Sequence, residues 1–246
     1  MTDFIARNVF FPEKEVSFKD CPLGRKSFEI PQEIDFSKLD KPISLNSHAV
    51  EKYKDVTNNE FRDLTDAEKA DIKQGLGWID AQIAKCKINE DGIIQYRTDN
   101  CDLEGQKGPR EVKYERKYVK IHGFVIEGVF PVFNSAFDVQ LPSELERASN
   151  AKQFGECNRQ LKAAVERNSD LQTKFTAEQL EEIADGDTPT GYTWHHNEEV
   201  GRMQLVKTEE HDKTQGGAAH TGGKALWGDK YGEYAATHNN IEYGGI

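Results

Sequence analysis

The chain has 246 residues, of which 36% are hydrophobic and 10% aromatic, enough to bury the core of one large domain or two small ones. No apolar run nears the roughly 20 residues of a bilayer span, and the first residues lack the charged start, apolar stretch and cleavage site of a Sec signal peptide. A net charge of −11 argues against nonspecific coating of a polyanion, which depends on clustered Lys and Arg.

Residues 1–60 mix Pro, Asp, Lys and short apolar pieces without a helical period, which predicts irregular structure and short strands. A capping box, Thr65 with Glu68, precedes Ile72, Leu76, Ile79 and Ile83 on one helical face, predicting one amphipathic helix that ends near Cys86. Residues 92–98 read as a strand and the Gly-rich stretch 104–109 as a loop. A domain boundary is expected near residue 105, dividing 1–105 from 106–246.

Residues 107–120 hold six basic and two acidic side chains. Residues 112–121 form a strand candidate, followed by an apolar piece from Phe124 to Phe133 that Pro131 is expected to break. This basic stretch is a candidate phosphate-contacting face, or a solvated strand. Ser143, with Glu146 three residues on, predicts a helix start, the helix running through Phe154, Leu161 and Val165 to the break at Asn168. A second capping box, Thr176 with Gln179, opens a shorter helix ending at Gly186. The four cysteines, Cys21, Cys86, Cys101 and Cys157, form no close pair, so free thiols are expected rather than disulfides or a CxxC metal knuckle.

Four of the seven histidines, His195, His196, His211 and His220, fall within 26 residues, where random placement would put fewer than one. Residues 191–196 read as a strand, 197–201 as a turn and 202–206 as a returning strand: a β-hairpin with His195 and His196 on its first arm. Neighbours on a strand point to opposite faces, so one of the pair can hold a metal while the other faces water or substrate. His211 and His220 are too far apart to share a helical face; a loop through Gly216-Gly217 must fold back to bring His220 to the ion.

Strand, turn, strand and short helix, with His on the first strand and near the helix, is the ββα-metal arrangement. Gly191-Tyr192-Thr193-Trp194-His195-His196, Gly201-Arg202-Met203-Gln204-Leu205-Val206, His211 and His220-Thr221-Gly222-Gly223 together resemble the WHH subgroup of the HNH/endonuclease VII nucleases. The likeness extends upstream through Phe130-Pro131-Val132-Phe133, Val139-Gln140-Leu141-Pro142, the helix around Asn158 and Phe175-Thr176-Ala177-Glu178-Gln179-Leu180, covering about residues 122–232. It implies a C-terminal ββα-metal core with flanking helices, and the fold expected is α+β. The first 120 residues lie outside the likeness; an N-terminal α+β region of trafficking or interaction role is expected there.

The resemblance further implies a metal-dependent endonuclease cutting DNA, a bacterial toxin module silenced by an immunity protein. Such a module is made in the cytoplasm, exported by specialised secretion machinery and active in a target cell. His195, His211 and His220 would hold a divalent ion (Zn, Ni, Mn or Mg); His196 would be the general base, near whose free pKa neutral pH lies. Gln204 would orient His196 or the hairpin turn. Arg202, Lys207 and Lys224 are candidate phosphate contacts. Two rival readings stand: an RNase on the same scaffold, and a non-catalytic module in which the histidines hold a structural zinc.

Overall fold

A computed structural model describes residues 60–232; the expectation for the residues ahead of them lies outside that range. The elements are β1 (Arg62–Asp63), α1 (Asp66–Leu76), α2 (Asp80–Ile83), β2 (Cys86–Ile88), β3 (Ile93–Tyr96), β4 (Lys113–Ile121), β5 (Phe124–Val132), β6 (Phe137–Gln140), α3 (Asn150–Val165), α4 (Ser169–Gln172), α5 (Ala177–Asp185), β7 (Tyr192–His196), β8 (Arg202–Lys207), α6 (Thr208–His211) and α7 (Gly223–Leu226). The fold is mixed α+β. Among the described residues, no helix is long and apolar enough to cross a membrane.

The strands form two sheets, one ordered β1-β2-β3-β5-β4 and one ordered β6-β8-β7. All pairings are antiparallel except β3 with β5. That exception joins residues on both sides of position 105: β3, before it, hydrogen-bonds to β5, after it. The described residues lie in one compact unit.

Local chemistry sets most element ends. The Thr65 capping box forms as expected, but Gly77 takes a left-handed conformation (φ 68°) and ends α1. One helix therefore becomes two, because Gly lacks the Cβ that resists this cap. The second capping box starts α5, and Gly186 closes it. The helix expected from Ser143 begins later: residues 143–145 make a 3-10 turn, and the Ser149 side chain accepts from Lys152 N to start α3.

Pro131 does not break β5. Its partner across the ladder is Tyr114, whose backbone N–H and C=O are both engaged by the loop at Gln106 and Gly105. Because β3 pairs only as far as residue 127 of β5, no ladder bond needs the missing N–H. The hairpin β7–β8 matches the expected span; the third strand, β6, was not legible as a strand before.

Candidate metal centre and its cavity

The hairpin sets the site. Trp194, His195 and His196 stand opposite Leu205, Gln204 and Met203, and strand alternation sends the two imidazoles to different faces. His195 meets His211, on α6, and His220, at ring-centroid distances of 5.2 and 4.8 Å. One donor nitrogen from each of the three lies within 4.8 Å of the others.

Gly216 and Gly217 make the return of the chain possible. Gly216 has φ 79°, and a Cβ on Gly217 would stand 2.8 Å from the backbone of both Asp212 and Glu210. Residues 218–221 are then anchored to the larger sheet. Tyr114 Oη and Asn100 Nδ2 donate to Ala219 O at 2.8 and 2.7 Å, and Asp99 N donates to Thr221 Oγ1 at 3.0 Å. Arg110 donates to Gln215 O at 3.1 Å. The loop bearing His220 is thus held by residues 99–114, a role no sequence pattern signalled.

The donor chemistry fits a divalent ion. His220 Nδ1 lies 2.9 Å from Ala218 O, so that nitrogen carries the hydrogen and Nε2 the lone pair, the usual support behind a metal-binding imidazole. His220 Nε2 stands 3.2 Å from His195 Nδ1. Two nitrogens about 2.0–2.1 Å from one tetrahedral ion would be roughly 3.4 Å apart. Burial holds His195 well below the usual imidazole range, with the neighbouring histidines adding to it. Burial likewise lowers His211 to about 4 and lowers His220. All three are therefore neutral at pH 7, as ligation requires.

Phe133 closes the other side of the cluster, its ring 4.8, 5.5 and 5.3 Å from those of His195, His211 and His220. It limits how far any imidazole can turn. Phe133 lay inside the motif string already quoted, but only the packing assigns it to the cluster.

His196 turns toward α3 and α7. Its Nε2 is 2.9 Å from Gln153 Oε1, and its ring packs near Phe154 and Trp227. Burial, followed by the positive charge of Lys224, pushes His196 down to about 3. Both faces of the strand nevertheless open onto one cavity of about 430 Å³, lined by all four histidines together with Lys224, Lys230 and Asn150. A larger hollow, about 610 Å³, is lined by Asp71, His122, Glu146 and Arg147 among others and includes none of the four clustered histidines.

Of the two roles expected for Gln204, its contacts are those of the hairpin turn. It is absent from the cavity lining; Asn197 Nδ2 donates to Gln204 Oε1 at 2.9 Å, and Gln204 Nε2 donates to Asp138 at 3.3 Å. The amide that meets His196 is Gln153. Its sequence signal was a glutamine in the helical stripe Gln153, Cys157, Leu161, Val165, all buried at four-residue spacing, where an unpartnered amide would be costly.

The candidate phosphate contacts also separate. Arg202 is held by Asp138 and Glu199, Lys207 is exposed at the end of β8, and Lys224 lines the cavity. The basic stretch 107–120 is largely spent on internal pairs. Lys107 meets Glu111, Arg116 meets Glu104 and Glu127, and Lys117 meets the buried Glu198 of the hairpin turn.

Residues 122–222 match the family model described as the DNase/tRNase domain of colicin-like bacteriocin. That region holds the hairpin, α3, α6 and all four clustered histidines, and the match supports a nuclease toxin domain of bacteriocin type. No curated protein and no solved structure matches the chain.

Proposed function

We propose that the protein is a metal-dependent endonuclease of HNH type, with a ββα-metal core formed by β7, β8 and α6, that hydrolyses DNA phosphodiester bonds. One observation carries this reading: three neutral imidazole donors within 4.8 Å of one another face a cavity that His196 and Lys224 share. His195, His211 and His220 would hold the ion. When bound, it would supply charge neutralisation at the phosphate and the leaving oxygen.

The chain's own groups do the rest. His196, neutral at pH 7, takes the proton of the attacking water. The Lys224 ammonium has three N–H groups and donates to Ala148 O and Gln153 Oε1, which leaves one for a phosphate oxygen. Phe133, packed against all three imidazoles, shields the metal side from bulk water, strengthening electrostatic contacts inside. Gln204 braces the turn through Asn197.

Among the described residues the set has three protein donors, and three rather than four is the pattern of a catalytic rather than a structural ion. The matching family's description spans DNA and transfer-RNA cleavage, so RNA hydrolysis is the second reading. Plasmid and RNA digested side by side with Mg, Mn, Ni or Zn will decide: DNA cutting is expected, and RNA cutting alone would replace the substrate. A protein with tightly held zinc and no activity on either would return the non-catalytic reading.

In the toxin reading a cognate immunity protein silences the enzyme, and a basic one suits a chain of net charge −11. Calorimetric titration with the product of the adjacent gene tests this; a trace without heat at micromolar concentration counts against it. Export by specialised secretion machinery to a target-cell cytoplasm completes the proposal, with a trafficking or interaction role for the N-terminal region.

A further inference from the structure

Gln153 sits one turn into α3 and is fully buried. Its Nε2 donates to Leu145 O and to Glu146 O, both at 2.8 Å. Its Oε1 accepts from Lys224 Nζ at 3.1 Å and faces His196 Nε2 at 2.9 Å. A carboxamide has two N–H donors and two lone pairs, and here all four are in use. Reversing the amide would set its NH₂ against the Lys224 ammonium and its oxygen against two carbonyls. The partners therefore decide which way the amide lies, and the nitrogen of His196 that faces an acceptor oxygen must carry a hydrogen.

We propose that Gln153 is the positioning residue of the general base, holding neutral His196 as the Nε2–H tautomer so that Nδ1 carries the proton-accepting lone pair. The catalytic meaning rests on the nuclease reading above; the tautomer itself does not. In the step, the water oxygen bonds to phosphorus and the water proton goes to Nδ1. The P–O ester bond breaks with its electron pair on the ester oxygen, which is protonated by solvent. The resulting imidazolium still donates from Nε2 to Gln153, so one contact serves both protonation states and Gln153 never has to exchange a proton. Lys224, donating to the same oxygen, keeps the amide from turning and ties α7 to the base.

Ring-nitrogen NMR of the ¹⁵N-labelled, Zn-loaded full chain reads the tautomer directly, with His196 assigned by the signals lost in His196→Ala. The wild-type protein is expected to show a pyrrole-type Nε2 and a pyridine-type Nδ1 for His196; the opposite pattern overturns the proposal without any variant having to fold. In Gln153→Met the two tautomers should mix, whereas Gln153→Glu, which still accepts from both partners although it loses the donors to Leu145 O and Glu146 O, should keep Nε2–H. An unchanged single tautomer in a folded Gln153→Met protein would also overturn it. In cleavage assays Gln153→Met should lower kcat about tenfold or more, part of the roughly 100- to 10,000-fold a general base contributes. KM should stay within about twofold, and Gln153→Glu should recover part of the rate. Wild-type protein that cuts no nucleic acid, yet shows the expected tautomer, would sink the nuclease reading and leave the positioning role standing.

Discussion

Residues 122–232 supply every histidine of the site, whereas residues 60–121 supply none of its donors and much of its bracing. Tyr114 and Asn100 hold Ala219, Lys117 pairs with Glu198, and Trp78 and Gln82 donate to the carbonyls of Leu226 and Ala225 at 2.8 Å each. The difference teaches that the chemistry-bearing half is not self-sufficient. Five of its polar residues, His195, His196, Asn197, Glu198 and Gln204, are buried within ten positions, and each such group must find a partner or lose stability. One of those partners, Lys117 for Glu198, and the anchors of the His220 loop come from the other half.

The sharpest test of the division is His196→Ala, which should cut cleavage by about 100- to 10,000-fold while metal titration stays unchanged; His211→Ala should instead abolish tight metal binding. If both variants lose metal equally, the separation of duties across strand β7 fails.

Acidification should act mainly on the histidine half. The folded-state values of about 4 for His211 and about 3 for His196 lie below the free value of about 6.5. Below that value the unfolded chain binds more protons, so stability present above pH 6.5 is lost as pH falls toward 4 and then 3. Thermal melts of metal-free protein should show this loss, and His211→Asn should flatten the upper part of it. A melting temperature independent of pH across the window would contradict the buried neutral state.

Changes in the bracing half should cost stability first and activity through it. Lys117→Met leaves the Glu198 carboxylate buried without its cation, at about 3–5 kcal/mol, read by urea denaturation; a loss within error would show that the turn does not depend on β4. The smallest effect is expected for Tyr114→Phe, which removes one of two donors to Ala219 O. About 1 kcal/mol of stability and about tenfold in metal affinity, the lower end for outer-shell partners, should go together. Loss of stability with unaltered metal affinity would mean that the His220 loop is held without the larger sheet.

Much of the local structure was legible from residues alone. Thr65, Thr176 and Gly186 signal their caps by short-range hydrogen bonding and left-handed backbone, which depend only on neighbours in sequence. The hairpin and the opposite facing of His195 and His196 follow from the two-residue period of a strand. Less legible were choices between equally good local signals. Ser143 and Ser149 both suit a helix start, and packing selected Ser149. Pro131 reads as a strand breaker until the partial length of β3 shows that its missing N–H has no ladder bond to make.

By itself, then, the sequence determined the clustering of four histidines, their alternation on a strand and the glycines that let the chain return, because these depend on composition and near-neighbour geometry. Tertiary structure alone decided that His220 reaches His195, that Gln153 rather than Gln204 meets His196, and that residues 99–114 brace the His220 loop. Those contacts join positions 25, 43 and 105 residues apart, and at such separations hydrogen-bond partnership is set by how sheets and helices pack, which no local periodicity encodes.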